Sequence, residues 1–375
     1  MPLFLTEDQN MLRDTARSFM AEEGAIAKQL RKYRDMNCKD GFGHALWRQF
    51  GEMGFNGILV DEADGGLGLG HVEAGIVLEE IGRNLTPSPF LITAIATVEA
   101  LKGTSLRTRW LPGILAGETV AALAVDEGPK HRPESIAMRA ERAGNGFRLS
   151  GRKQFVVQGA SADFFVVAAK AEEGLTLFTV EKDASGLEVE GVRLADSSIG
   201  ARLDFTSVDV DADAVIGEVG QGEAILSRVL SAARAGTASE MVGVGVAAMG
   251  MTIDYLKQRR QFGRLIAEYQ VLQHRSAHLY SELEIARAAV LKAQQLLDAK
   301  EEGGSDEAEA MVCVAKSKAG RVSTLAVQEG VQMHGGIGMT DEYDIGLYMK
   351  RDRVLNELFG DPNYHADKLA RLKGY

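Results

Sequence analysis

Two segments of the chain carry residue types that can do chemistry together. One is Arg259-Arg260-Gln261-Phe262-Gly263, followed by Tyr269-Gln270. The other is Gln332-Met333-His334-Gly335-Gly336-Ile337-Gly338, followed by Lys350-Arg351 and Phe359-Gly360-Asp361. Between them they offer a guanidinium, amide side chains, an aromatic ring and glycines beside which a ligand can lie against bare backbone. That set suits a large anion with an aromatic head. Arg259 alone also reads as a cation closing a helix end; its spacing to Phe262, Gln270 and Gln332 favours the ligand. Glu357 and Asp361 flank Phe359, and Glu240 is a single charge in a run of small and apolar residues. Glu240 reads as the buried partner of an arginine, or as a cap.

Long helices must hold both segments. From Gly222 onward Ile225, Val229, Ala232, Gly236, Ser239, Gly243, Val246, Gly250 and Ile253 recur at the period of one helix face. The face is unusually small. A glycine inside a helix costs roughly 1 kcal/mol, so this face predicts close helix packing or a flat ligand. A second helix is expected over 270–300 and a turn at Glu301-Glu302-Gly303-Gly304-Ser305. A third is expected over 306–334, stopped by Gly335-Gly336, and a fourth over 345–359. Four helices with short links predict an antiparallel bundle.

Upstream, Thr6-Glu7-Asp8-Gln9 fits a capping box, with Leu12, Thr15, Ala16, Phe19 and Met20 at helical spacing behind it. Further helices are expected over 44–53, 72–83, 91–101 and 105–115, with a loop at Gly65-Gly66-Leu67-Gly68-Leu69-Gly70. After Gly117 the chain turns to short apolar or alternating runs: Val120 to Val125, Phe147 to Val157, Phe164 to Ala169, Leu175 to Val180 and Leu203-Asp204-Phe205. The expected fold class is α+β and multi-domain. An all-α N-terminal domain covers 1–118, an antiparallel β domain 119–221 and a C-terminal four-helix bundle 222–375.

With 375 residues, 45% hydrophobic and 25% charged, the composition is that of an ordinary globular protein. A net charge of −11 excludes a nucleic-acid binder, which needs a basic footprint. No apolar run is long enough for a membrane span. Met1-Pro2-Leu3-Phe4-Leu5 lacks the basic stretch and apolar core of a signal peptide. Cys38 and Cys313 are too few for a disulfide framework or a zinc site, so a reducing cytoplasm is expected. Cys313 reads as a small core residue. The histidines form no metal-binding set with carboxylates, and His274 and His278 read as packing or surface. Asp61-Glu62-Ala63-Asp64 has no phosphate loop beside it. Gly243-Val244-Gly245 lies in a helix rather than after a strand, which excludes a dinucleotide fingerprint. No Gly-x-Ser-x-Gly elbow is present.

The chain resembles the acyl-CoA dehydrogenases along essentially its whole length. The order of helical domain, β domain and bundle agrees, as do Val60 to Gly70, Leu78-Glu79-Glu80-Ile81-Gly82-Arg83, Leu111 to Thr119 and Gly151-Arg152-Lys153. The two bundle segments carry the resemblance furthest. The ending Leu358-Phe359-Gly360-Asp361 is similar to bacterial heteromeric types, such as pimeloyl-CoA dehydrogenase small subunits and steroid side-chain dehydrogenases. The resemblance implies FAD shared across a subunit boundary in a tetramer, an acyl-CoA substrate from fatty acid or steroid catabolism, and an electron-transfer flavoprotein as acceptor. It implies that Arg259 holds the pyrophosphate, that Phe262 walls the adenosine end, and that Gln270, Gln332, Gly335 and Gly336 line the same region. Phe155 and Val157 fall beside the flavin. The family's Thr-Glu-Pro-x-x-Gly-Ser-Asp stretch corresponds to Asp126 through Pro133, without its serine and glycine pattern. Its two base positions fall on Phe359 and on Ala233, neither of which takes up a proton.

Three readings stay open. The chain is a base-lacking subunit that works with a partner chain, or a self-sufficient homo-oligomer with a relocated base, Glu240 first, or a non-catalytic scaffold of the same fold.

Overall fold

The computed structural model describes residues 3–299 and 305–375. Met1, Pro2 and residues 300–304 lie outside the described residues, and with them all but Ser305 of the turn expected at 301–305. The main helices are α1 (Glu7–Glu22), α2 (His44–Glu52), α3 (His71–Asn84), α4 (Arg107–Leu115), α5 (Gly222–Gln258), α6 (Gln270–Asp298), α7 (Ser305–His334), α8 (Ile345–Glu357) and α9 (Pro362–Leu372). The strands are β1 (Ala121–Ala124), β2 (Arg139–Ala143), β3 (Gly146–Val157), β4 (Phe164–Ala171), β5 (Gly174–Glu181), β6 (Leu187–Arg193), β7 (Ile199–Val210), β8 (Val215–Ile216), β9 (Arg260–Gln261) and β10 (Arg264–Leu265). The chain forms two compact units. One gathers the segment up to Lys28, His71–Thr86 and the chain from Arg234 onward; the other holds Gln29–Gly70 and Pro87–Ala233.

In the helical unit, α1 opens on the expected box: Thr6 Oγ1 accepts from the Gln9 amide and Gln9 Oε1 from the Thr6 amide. Helix α3 is capped from afar. Its first amides, at His71 and Val72, donate to the Asp298 carboxylate at 2.6 and 3.1 Å. The small face of α5 serves close helix packing. A Cβ on Gly243 would stand 2.0 Å from the Glu79 carbonyl, and one on Gly82 would stand 2.1 Å from the Glu240 carbonyl. A Cβ on Gly245 would meet Leu283 at 2.7 Å. Thus α3 presses backbone to backbone against α5 where only hydrogen fits, and the Leu283 side chain of α6 packs onto the bare backbone at Gly245.

Helix α8 is tied to α7 through Asp352, which accepts from Ser323, from Thr324 at 2.9 Å and from Asn356 at 3.0 Å. Burial pushes the Asp352 carboxyl up, against the pull of those bonds. The fourth expected helix ends at Glu357, and a further helix, α9, follows. Asp361 caps it by accepting from the Asn363 and Tyr364 amides at 3.0 and 2.8 Å, with Pro362 at its first position. Asp-Pro is a helix-start signal in the sequence, and α9 was legible there.

In the β unit the strand order is β6-β7-β3-β2-β4-β5-β8, with β1 beside β4. Most pairs are antiparallel; β1 and β2 run parallel to β4. Phe147, Leu149, Phe165, Phe178, Leu203 and Phe205 fill one core. Trp110 of α4 stacks on Phe164 with ring centroids 3.9 Å apart. The expected helix over 91–101 is a π-helix, Leu91–Thr97, running into a short α-turn, Val98–Leu101. The wider turn sets the Thr93 hydroxyl against both the amide and the carbonyl of Ala121. Among the described residues no helix is long and apolar enough to cross a membrane.

Candidate functional site

The helical unit gathers the two chemistry-bearing segments at one end. Helix α5 runs out at Gln258 into the β9–β10 hairpin. Phe262 and Gly263 form its tip at φ +52° and +81°, the paired positive angles of a tight hairpin turn. Phe262 is 89% exposed, and the Arg264 guanidinium lies 3.8 Å from the Tyr269 ring centre. Tyr255, whose carbonyl receives the Arg259 amide, stacks 4.5 Å from His334 at the end of α7. Arg275 of α6 pairs with Glu329 of α7 at 2.5 Å. So the end of α5, the start of α6 and the end of α7 meet.

Arg259, Phe262, Gln270, Gln332, Gly335 and Gly336 are all exposed. The side chains of Arg259, Gln270 and Gln332 have no hydrogen-bond partner among the described residues. Gly335 adopts φ +64°, and a Cβ at Gly335 or Gly336 would meet nothing within 4 Å. An unspent guanidinium, two unspent amides and bare backbone at a helix end fit the phosphates and ribose of a dinucleotide. His334, which carries no role of its own in the sequence, backs this end. It donates from Nδ1 to the Gly330 carbonyl at 2.6 Å, its buried Nε2 has no partner among the described residues, and burial pushes its pKa down.

The β unit holds the other expected residues. Phe155 sits at φ +52° in a bulge of β3, between the pairs Lys153–Leu203 and Val156–Ala201. Bulges re-aim side chains and gather beside active sites. Val157, opposite Gly200, is buried. The loop from Asp126 is stapled to the bulged strand. Its carbonyl accepts from the Gln154 amide at 2.7 Å, and fully buried Lys153 donates to the Val125 carbonyl at 3.0 Å and to Glu127 at 2.8 Å. Burial pushes Lys153 down, against the pull of Glu127. For Glu127 burial works against the charge, but Lys153 and the Ala137 and Met138 amides win and hold it below the usual carboxylate range. The Asp126 carboxylate meets His131 Nδ1 at 2.9 Å. In the sequence Asp126 and Glu127 precede Lys130, His131 and Arg132; that Asp126 takes His131 while Glu127 takes the distant Lys153 is set by the fold.

At the expected base positions, Phe359 is 5% exposed and Ala233 fully buried. Glu240 is not a lone charge: Arg351 of α8 donates to its Oε1 from Nε at 2.7 Å and Nη2 approaches at 2.6 Å. Asp361 is engaged as the cap of α9, and Glu357 pairs with Arg353 at 3.1 Å. Beneath this region lies Lys316, with no exposed surface, donating to the carbonyls of Leu355 at 2.9 Å and Gly360 at 3.2 Å. Burial, then the charge of Arg234, pushes its pKa down to about 7, against Asp352, Asp361 and Glu357.

Unfolded, a lysine holds its proton up to about pH 10.4. Between the two values the unfolded chain binds the extra proton, so the contribution of Lys316 to stability rises with pH through that window and is least favourable below it. Relative to the natural chain, Lys316→Met is therefore expected to do best near pH 6 and progressively less well toward about pH 10, as urea unfolding at several pH values would read. A difference that does not change with pH would mean that the ammonium is unperturbed.

Three family models match the chain: Acyl-CoA dehydrogenase, N-terminal domain over residues 6–118, middle domain over 126–207 and C-terminal domain over 220–373. Mitochondrial isovaleryl-CoA dehydrogenase of Solanum tuberosum is 32% identical over 84% of this chain and 78% of its own length. Acyl-CoA dehydrogenase FadE12 of Mycobacterium tuberculosis is 30% identical over 93% of this chain and 91% of its own. Among solved structures, a Tcur3481-Tcur3483 steroid ACAD variant is 29% identical with a TM-score of 0.88, covering 98% of each chain. The ChsE4-ChsE5 complex of Mycobacterium tuberculosis shares the fold at 21% identity, with a TM-score of 0.89 and 100% of each chain covered.

Proposed function

Because the chain belongs to the acyl-CoA dehydrogenase family, whose cofactor is FAD, we propose that it is a base-lacking subunit of a flavin-dependent acyl-CoA dehydrogenase. A second family chain carries the proton acceptor. One observation carries the reading: an open, unspent nucleotide-binding face stands in the same unit as a base position filled by Phe359. Arg259, Gln270, Gln332 and the bare backbone of Gly335 and Gly336 would hold the pyrophosphate and adenosine, with Phe262 as a wall. Phe155 and Val157 would stand on the flavin side. FAD, when bound, takes up the hydride that leaves the substrate β-carbon.

The α-proton must go to a base, and neither a phenyl ring nor a methyl group accepts one. The nearby acids are engaged: Glu240 by Arg351, Asp361 by the first amides of α9. The two-chain name of the steroid relative supports the division of labour. The substrate is an acyl-CoA thioester, and an electron-transfer flavoprotein takes the electrons. A second reading keeps Glu240 as a relocated base in a homo-oligomer. Its 2% exposure, the dry setting such a base needs, favours that reading; its two bonds from Arg351 oppose it.

The test is co-expression with an acyl-CoA dehydrogenase-like chain encoded beside it, reading bound flavin from the visible spectrum and turnover over a panel of acyl-CoAs. The chain alone is expected to turn over about 10²–10⁴-fold more slowly than the pair, the usual worth of a positioned base. Full turnover by the FAD-loaded chain alone would sink the proposal. A protein that stays colourless with every partner would favour the scaffold.

A further inference from the structure

A buried set of donors grips the connection between α8 and α9. Arg234, 1% exposed, donates from Nε to the Phe359 carbonyl at 3.2 Å and from Nη2 to the Tyr364 hydroxyl at 3.3 Å. His365 donates from Nε2 to the same Phe359 carbonyl at 3.1 Å. Lys316 takes the carbonyls of Leu355 and Gly360. Three side chains, from α5, α7 and α9, thus converge on the backbone of one short connection.

Two physical facts make this more than helix-end neatness. The Leu355 carbonyl is among the last four of α8, which have no intrahelical donor, but the Phe359 and Gly360 carbonyls lie outside any helix. Phe359 itself sits at φ +59°, a left-handed backbone that a residue with a Cβ disfavours. Such a conformation persists only where its surroundings over-determine it. Acids lie close by, yet the Lys316 ammonium makes its hydrogen bonds to backbone carbonyls. A charge placed that way fixes a chain path.

We infer that Lys316 and Arg234 are positioning residues for the side chain at 359, holding its turn in the left-handed state and so fixing the direction in which residue 359 projects. What that direction serves rests on the proposed function: 359 is then the place of the family's base, kept in shape although a phenyl ring fills it. The clamp acts through N–H donors, which a neutral amine retains.

The test labels the FAD-loaded protein, with its partner chain if it has one, with 4-fluorophenylalanine and assigns the Phe359 signal with Phe359→Leu. One narrow fluorine resonance is expected for the natural chain. In Lys316→Met and in Arg234→Lys that resonance is expected to broaden or split while the other phenylalanine signals hold. An unchanged narrow signal in both variants overturns the inference. If Lys316→Met does not fold, Arg234→Lys, which keeps a cation, decides alone.

A second arm asks what the position is for. Phe359→Glu is expected to raise exchange of the substrate α-hydrogen with D2O by about 10²-fold. Adding Lys316→Met is expected to remove most of that gain and to move the acid limb of the exchange profile upward, since a nearby cation is lost. A gain that Lys316→Met leaves untouched overturns the positioning role. An ordered ring with no exchange in Phe359→Glu leaves the clamp standing and removes only the reading of 359 as the base position.

Discussion

Gly243→Ala will cost about 3 kcal/mol or more, at the upper end of what overpacking does. The added methyl would stand 2.0 Å from the Glu79 carbonyl and 2.9 Å from the Arg83 amide, both backbone atoms that no rotamer change can move away. The two helices must separate, and the Tyr348 hydroxyl, bonded to the Arg83 carbonyl at 2.6 Å, is disturbed with them. Gly82→Ala should cost a similar amount, because its methyl would meet the Glu240 carbonyl at 2.1 Å. The pair should be less than additive, since one substitution already parts the helices. Gly250 lies on the same helix, and a Cβ there would meet nothing within 4 Å. Gly250→Ala should therefore stabilise, by about 0.5–1 kcal/mol, through the unfolded chain. Urea unfolding of the three single variants and the double checks all four values. If Gly243→Ala and Gly250→Ala behaved alike, close helix packing would not be what the small face is for.

Removing Arg351 should be nearly as damaging. Arg351→Met leaves the Glu240 carboxylate, 2% exposed, without its guanidinium. Stranding one member of a buried pair typically costs about 3–5 kcal/mol, while replacing both by apolar groups is often neutral. Arg351 is itself 20% exposed, so the lower end of that range is expected. Glu240→Met with Arg351→Met should recover most of the loss. The same variants bear on chemistry. If the pair is structural, Glu240→Gln in the FAD-loaded, partner-complete protein lowers stability and leaves turnover alone. A fall in turnover of about 10²-fold or more, with stability intact, would instead make Glu240 the base.

The halves of the site differ in how far the sequence disclosed them. Arg259, Phe262, Gln270, Gln332, Gly335 and Gly336 were legible because they sit at helix ends, where local rules operate: a period breaks, a glycine stops a helix, a cation and an aromatic ring stand in a turn. Their exposure keeps them out of this chain's own core. Helix α9 is equally local, written in Asp361-Pro362 as a cap and a first-turn proline.

Glu240 was harder. In the sequence it is an isolated acid, and its partner stands 111 residues away. Lys316 gave no signal at all, since a lysine in a helical stretch is ordinarily a solvated face, and Arg234 stood out only as the arginine that follows Ala233. That both are buried and aimed at carbonyls of another connection follows only from how α5, α7 and α9 pack.

What the sequence determined unaided is therefore periodic or local: the helix and strand types, the order of a helical, a β and a second helical region, the family, and the polar and glycine residues that stand exposed at the helix ends. Such features depend on neighbours three or four residues apart, or two, and chain connectivity supplies those neighbours. What the tertiary structure decided is pairing between distant charges, the bulge that carries Phe155, and the assembly of early segments with the chain beyond Arg234 into one unit. Those depend on which buried polar group finds which partner, and the high cost of leaving one unmatched in a dry interior settles that only when the helices come together.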